Sequence, residues 1–203
     1  MKTSSALTQE TLCALQRQTF QYFLHETNPQ NGLIADKTQR DSPSSIAAVG
    51  LALAAYPVGV ERGFLSRDDA ATRTLAALRF FHTCPQGSGA DAAGYKGFYY
   101  HFLDMKTGDR VWQCELSLID TTLLLAGVLT AASYFDGAGA ETEIREIADA
   151  LYRRVDWTWA QDGFQTVAQG WKPECGFLHY GWEGYNEATI LYVLGLGSPT
   201  HPL

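Results

Sequence analysis

Six stretches of this chain carry helical periodicity, and they alternate strictly between two kinds. In the first kind apolar residues recur at three- and four-residue spacing and leave one wet face: Leu12, Leu15, Thr19, Tyr22 and Phe23, then Ala71, Leu75, Leu78 and Phe81, then Ile144, Ile147, Ala148, Leu151 and Val155. The second kind is apolar nearly all round. It covers Ile46 to Tyr56, Leu118 to Phe135 and Ala188 to Leu196, with small residues such as Ala47, Gly50, Ala126, Gly127 and Gly195 interspersed. A helix without a polar face has to be surrounded by other helices. Amphipathic followed by buried, three times over, is what a double ring of helices requires. The pattern predicts an all-α fold, half of an (α/α)6 toroid, with three outer and three inner helices of the six of each that a full ring has.

The connections sharpen this. Those after the buried segments are short, Pro57 to Leu65 and Asp136 to about Glu141, while those before them are long: Asn28 to Pro43, Cys84 to Leu116 and Asp162 to Tyr185. Two of the long ones carry short β-hairpins. Phe98 to Leu103 and Arg110 to Trp112 flank a turn at Lys106, Thr107, Gly108 and Asp109, and Phe164 to Trp171 faces Cys175 to Tyr180. With helices running up and down, all three long loops fall at the end where the buried helices begin. Start signals agree: Ser42 before Pro43, Ser117 three residues ahead of Asp120, and Asn186 ahead of Glu187.

The charge balance narrows the partners. Lys and Arg number 15 against 22 Asp and Glu, a net charge of -7, without a basic cluster, which argues against nucleic acid and anionic membrane surfaces. The 12% aromatic content suits sugars, whose C–H faces stack on rings. Cys13, Cys84, Cys114 and Cys175 lack C-x-x-C spacing, so they read as buried thiols, and neither metal nor cofactor is expected. Met1 to Glu10 lack the apolar run of a signal peptide. The expected location is cytoplasmic as written, or periplasmic if a signal has been removed.

Under this geometry the acids that open the buried helices, Asp41, Glu115, Asp120, Glu183 and Glu187, converge on one cavity. Glycoside hydrolysis needs two carboxyl groups, one protonated to release the leaving oxygen and one ionised to activate water or attack carbon. Crowded carboxylates push their pKa values apart and make both roles available. Each acid also has a plainer explanation. Asp120 caps a helix with Ser117, Glu187 complements a helix dipole, and Glu115 and Glu183 are loop acids. His101 and His179 read as hydrogen-bonded packing residues rather than catalysts. Aromatic residues crowd the same loops, and Trp112, Trp182 and Tyr185 are candidates to line sugar subsites.

Four blocks carry a resemblance: RDSPSSIAAVGLALAAYPVGVERGFLSR at Arg40 to Arg67, GYKGFYYHFLDMKTGDR at Gly94 to Arg110, ELSLIDTTLLLAGVLTAASYF at Glu115 to Phe135, and GFLHYGWEGYNEATILYVLGLGSPTHP at Gly176 to Pro202. They resemble the glucoamylase-like family of bacterial proteins, which includes β-1,2-glucan hydrolases and domains of cyclic β-1,2-glucan synthases. The resemblance implies an (α/α)6 toroid and, for members acting on β-1,2-glucans, inverting hydrolysis. It puts an acid at Glu187 in the N-E-A triplet, as general acid, and others at Glu115 and Asp120, shaping its pKa or gripping hydroxyls. Arg40, Asp41, Tyr99, Tyr100, His101 and Asp104 fall in matching blocks as sugar contacts.

Family members run to roughly twice this length. Residues 1–203 are therefore expected to form a single partial toroid domain, continued by a C-terminal half that would hold a second catalytic carboxylate. The function implied is a glycoside hydrolase acting on β-glucan, with a glucan oligosaccharide or polysaccharide as partner and no membrane segment. The alternative is a non-catalytic glucan-binding or pairing module, self-associating through exposed half-toroid faces, or an inactive fragment of such an enzyme.

Overall fold

The computed structural model describes residues 8–203, so the polar segment Met1 to Glu10 lies largely outside it. Six α-helices form two layers: α1 (Gln9–His25), α3 (Arg67–Thr83) and α5 (Ala140–Arg154) outside, and α2 (Ile46–Glu61), α4 (Leu118–Tyr134) and α6 (Thr189–Leu196) inside. Within the inner layer α2 packs on α4 and α4 on α6. Outside, α3 packs on α5, and the layers meet where α1 and α3 cover α2 and α5 covers α4. The alternation expected from the sequence is thus the layering of the fold. Among the described residues no helix is long and apolar enough to cross a membrane.

The wet faces and the interior follow from residue type. Ile144, Ile147, Ala148 and Leu151 of α5 are buried while Glu146, Asp149 and Arg153 are exposed. On α4, Leu118, Ile119, Leu124, Leu125, Val128 and Ala131 are buried, each large side chain contributing ~1.5–3 kcal/mol relative to exposure. The small residues let α2 and α4 approach closely. A Cβ added to Gly127 would lie 2.0 Å from the Gly50 carbonyl oxygen, and one added to Gly50 would lie 2.3 Å from that of Leu123.

Side-chain contacts fix the helix directions. At one end Tyr134 Oη donates to Glu61 at 2.7 Å, joining the C-termini of α4 and α2. At that end too Arg67, the first residue of α3, donates to the Tyr134 carbonyl and to Glu141 at the start of α5. At the opposite end Arg154 closes α5 onto the Phe81 carbonyl of α3 at 2.6 Å. The inner helices α2 and α4 therefore run parallel, and the outer pair α3 and α5 run against them.

The strands gather where α2 and α4 begin. They are β1 (Ser44–Ser45), β2 (Gly94–Tyr95), β3 (Phe98–Tyr100), β4 (Phe102–Leu103), β5 (Leu116–Ser117), β6 (Val167–Ala168), β7 (Gly170–Lys172), β8 (Gly176–Phe177) and β9 (Gly181–Trp182). The expected hairpins are present: Asp104 N donates to Asp109 O across the Lys106 to Asp109 turn, and Trp171 pairs with Phe177. They are not separate units, however. An antiparallel sheet of order β2-β3-β5-β7-β8 joins both long loops, β1 pairs with β4, and β6 with β9.

Three expectations are corrected. The helix read as ending at Tyr56 runs on through Pro57 to Glu61, because proline removes one donor but the last turn is still closed by Arg62 N on Val58 O. Its start is Ser45, not Ser42: Pro43 and Ser44 continue as extended chain, and Ser44 pairs with Leu103. The thiols are not all buried. Cys114 is, Cys84 is half-buried, and Cys13 and Cys175 are exposed, all four free.

Candidate active site

The rim of the inner layer is organised by His101, which lies between β3 and β4. Its carbonyl accepts from Ile46 N, the first residue of α2, and its own N–H donates to the Glu115 carbonyl, just ahead of β5 and α4. One residue thereby ties together the starts of two inner helices. Ser117 is the N-cap of α4, its Oγ accepting from Asp120 N at 3.2 Å and donating to the Asp120 carboxylate. The capping role expected of Asp120 is met, and the same geometry turns its carboxylate to the rim.

Glu115 and Asp120 meet on one imidazole. His101 Nδ1 lies 2.8 Å from Glu115 Oε1 and His101 Nε2 lies 3.5 Å from Asp120 Oδ2. The ring stacks on Phe102 with centroids 3.8 Å apart. The His101, Glu115 and Asp120 side chains are 28%, 29% and 16% exposed. Burial pulls the His101 pKa down, but the hydrogen bond to Glu115 and the charges of Asp120, Glu115 and Asp36 outweigh it and leave the imidazole above its usual value. The hydrogen bond from His101 in turn lowers Glu115, against its own partial burial and with help from Lys172. The pairing thus favours the protonated imidazole and the ionised Glu115 carboxylate relative to their unpaired states. His101 is hydrogen-bonded and stacked, as expected of it, while Glu115 is a half-buried loop acid with a partner.

Asp36 is the member of this group that the sequence did not single out. It sits in the first long loop, with its N–H donating to the Pro43 carbonyl, and only its proximity to His101 in the fold marks it. Sequence spacing carries no sign of that proximity.

The remaining candidates are spread more widely. Glu187 stands exposed on the turn before α6, after Asn186, whose Oδ1 accepts from Ala188 N at 2.9 Å. It makes no hydrogen bond or ion pair with Glu115 or Asp120. Tyr185 beside it is 96% exposed, and Trp182 on β9 is half-buried over a groove of about 520 Å³ shared with Glu183, Tyr192 and Leu196. A second groove of about 230 Å³ lies between Asp41, Asp104 and the exposed Trp112. Arg40 and Asp41 are exposed and 3.6 Å apart. Asp104 accepts from the backbone of Thr107 and Lys106, which lowers its pKa and spends one carboxylate oxygen on the turn.

Tyr99 and Tyr100, expected as sugar contacts, are both in the core. Tyr99 donates to the Phe81 carbonyl and meets Arg154, while Arg110 lies over the Tyr100 ring at 4.4 Å. In β3 both rings are covered, Tyr99 by Phe81 of α3 and Arg154 of α5 and Tyr100 by Arg110, so alternation brings neither to the rim. Among the described residues no group of three or more His, Cys, Asp or Glu side chains has the arrangement of a metal site.

Two helical layers whose parallel inner helices start at a rim bearing carboxylates form the kind of scaffold that also emerges from comparison with known proteins. The family model described as "Putative glucoamylase" matches residues 179–203. An exo β-1,2-glucooligosaccharide sophorohydrolase (non-reducing end) of Parabacteroides distasonis is 27% identical over 95% of this chain and 27% of its own length. Among solved structures, a "putative glucoamylase" from Bacteroides uniformis superposes with a TM-score of 0.87 at 29% identity, covering 98% of this chain and 49% of that one. An endo-β-1,2-glucanase from Chitinophaga pinensis, solved with sophorotriose and glucose, gives 0.85 at 25% identity, again over 98% and 49%. The chain is similar to glucoamylase-like bacterial glycoside hydrolases, as the four sequence blocks imply, and spans about half the length of the structures it matches, or less.

Proposed function

We propose that this chain carries part of the sugar site of a glycoside hydrolase acting on β-glucan, with β-1,2-glucan as substrate. The observation that carries this is the junction of Glu115 and Asp120 on His101 at the helix-start rim, in a chain similar to enzymes named for β-1,2-glucan cleavage. In this reading residues 1–203 are one partial domain, half of an (α/α)6 toroid, with α2, α4 and α6 as inner helices. A complete ring would draw its other helix pairs from outside these residues.

Roles divide by ionisation. Glu115 is held ionised by His101 and suits gripping sugar hydroxyls or accepting a proton, not donating one. Asp120 fixes the far side of the same imidazole. Glu187, exposed and free of a cationic partner among the described residues, is assigned as general acid. Incubation of the chain, and of a version extended by its natural continuation, with β-1,2-glucan should shorten the polymer, and Glu187→Gln should abolish the shortening. No cleavage by either version ends the proposal.

A second reading, a non-catalytic glucan-binding or pairing module, is favoured by one observation. Leu51 and Val58 of α2 and Val193 and Leu196 of α6 are 45–66% exposed, all on inner helices. Exposed apolar side chains on these helices favour a partner that covers them. Sedimentation separates the cases: a dimer supports pairing, and a monomer at tens of micromolar argues against it.

A further inference from the structure

We propose that Arg110 is the positioning residue for Glu115: its guanidinium clamps the loop that delivers this carboxylate to His101. The inference rests on placing Glu115 in the sugar site, but its test reads geometry and not hydrolysis.

Arg110 closes the Asp104 to Asp109 turn, bridging back to Leu103, and its side chain is only 3% exposed. Its donors span two loops. Nε donates to the Cys114 carbonyl at 2.6 Å, while Nη1 and Nη2 grip the two oxygens of Glu174 at 2.6 and 3.1 Å. The plane of the guanidinium is set from beneath by the Tyr100 ring, 4.4 Å away. Such a planar fork fixes direction as well as distance, which lysine's single ammonium does not.

What it clamps needs clamping. Between Arg110 and Cys114 the chain passes through Trp112 at φ 56° and Gln113 at φ 50°, two consecutive non-glycine residues in the left-handed region. That region is disfavoured for residues with a Cβ and persists where the surroundings hold it. Both side chains are exposed and make no hydrogen bond among the described residues, the Trp112 ring leaning on Phe102 with centroids 5.3 Å apart. The holding comes from Arg110 on the Cys114 carbonyl, from Cys114 N on the Val111 carbonyl, and from the Cys114 thiol against the backbone of Phe102. The next residue is Glu115. Glu174, in the turn between β7 and β8, carries the clamp across to the strand that pairs with β5, so both sides of Glu115 are fixed by one cation.

The test uses His101 as a reporter, with its imidazole pKa measured by NMR in the full chain. The groups facing it are Glu115, Asp120 and Asp36, and Glu115 also faces Lys172. Glu115→Gln sets the scale by lowering the His101 pKa. Arg110→Ala should lower it by at least half as much, because Glu115 is released, and should add nothing in the Glu115→Gln background. The sign is diagnostic: deleting a nearby cation by itself raises a histidine pKa. An unchanged or raised value in Arg110→Ala, folded by circular dichroism, overturns the proposal. Should that variant not fold, Arg110→Lys, which keeps the charge and the stem but loses the fork, carries the same test; a lowered value supports the clamp and an unchanged one overturns it. Hydrolysis assays keep the readings apart. A chain that cleaves no glucan yet shows the lowered pKa loses the enzymatic reading and keeps this one, and a chain that cleaves with an unmoved pKa loses this one alone.

Discussion

Gly50 and Gly127 touch backbone to backbone, so that the inner helices α2 and α4 cross with no side chain between them. Through that crossing the two helix starts, and with them Ile46 and Glu115, are held at one height, where the His101 backbone can join both.

Gly127→Ala should therefore be costly. The added carbon would meet a carbonyl oxygen at 2.0 Å, and a backbone atom cannot swing aside as a side chain can. Overpacking of this kind costs about 1–3 kcal/mol. For a chain of this size that lowers Tm by roughly 2–4 °C per kcal/mol. Thermal unfolding by circular dichroism measures it, with Gly87→Ala as control, since a Cβ there meets nothing nearer than 4.0 Å.

The His101 and Glu115 pair should stabilise the fold over a bounded pH range. His101 is raised from its ordinary 6.5, so its share is full below 6.5 and is lost as pH climbs through the folded value. Glu115 is lowered from 4.5, so its share is full above 4.5 and is lost as pH falls through its folded value. Both are complete only between these limits. The stability difference between the native chain and Glu115→Gln, from urea titrations at several pH values, should peak near pH 5 to 6 and shrink on either side.

At the opposite end of the helices, Glu141 accepts two bonds from Arg67 at 2.7 and 2.8 Å and is pulled down to about 2. Its contribution is present above its ordinary 4.5 and is lost as pH falls toward 2. The lock joins the starts of α3 and α5, so Glu141→Gln should shift the acid-unfolding midpoint upward while leaving the His101 resonances unmoved. Fluorescence-monitored acid titration checks the first and NMR the second.

Much of the fold was legible in the sequence because helix periodicity is local. The all-apolar runs at Ile46, Leu118 and Ala188 marked the inner layer, and Ser117 with Asp120 marked a helix start within one residue. The hairpins were legible but not the sheet that joins them: its strands are two or three residues long, and their pairing between loops, such as Ser117 with Gly170, is set by helix ends meeting in space. That hidden sheet explains the misjudged side chains. It buries Tyr99 and Tyr100, and it carries His101 to Glu115 across the width of a strand pair. Asp36 went unnoticed because its loop meets His101 only in the folded chain, through the Ala35 and Ser44 bridge beside β1.

The most direct test of the central claim, that the rim cluster meets sugar, is to titrate a β-1,2-linked gluco-oligosaccharide into the chain while following the histidine resonances. His101 should shift saturably, and its response should vanish in Asp120→Asn. A titration that leaves the His101 resonances unmoved at saturating sugar contradicts the account.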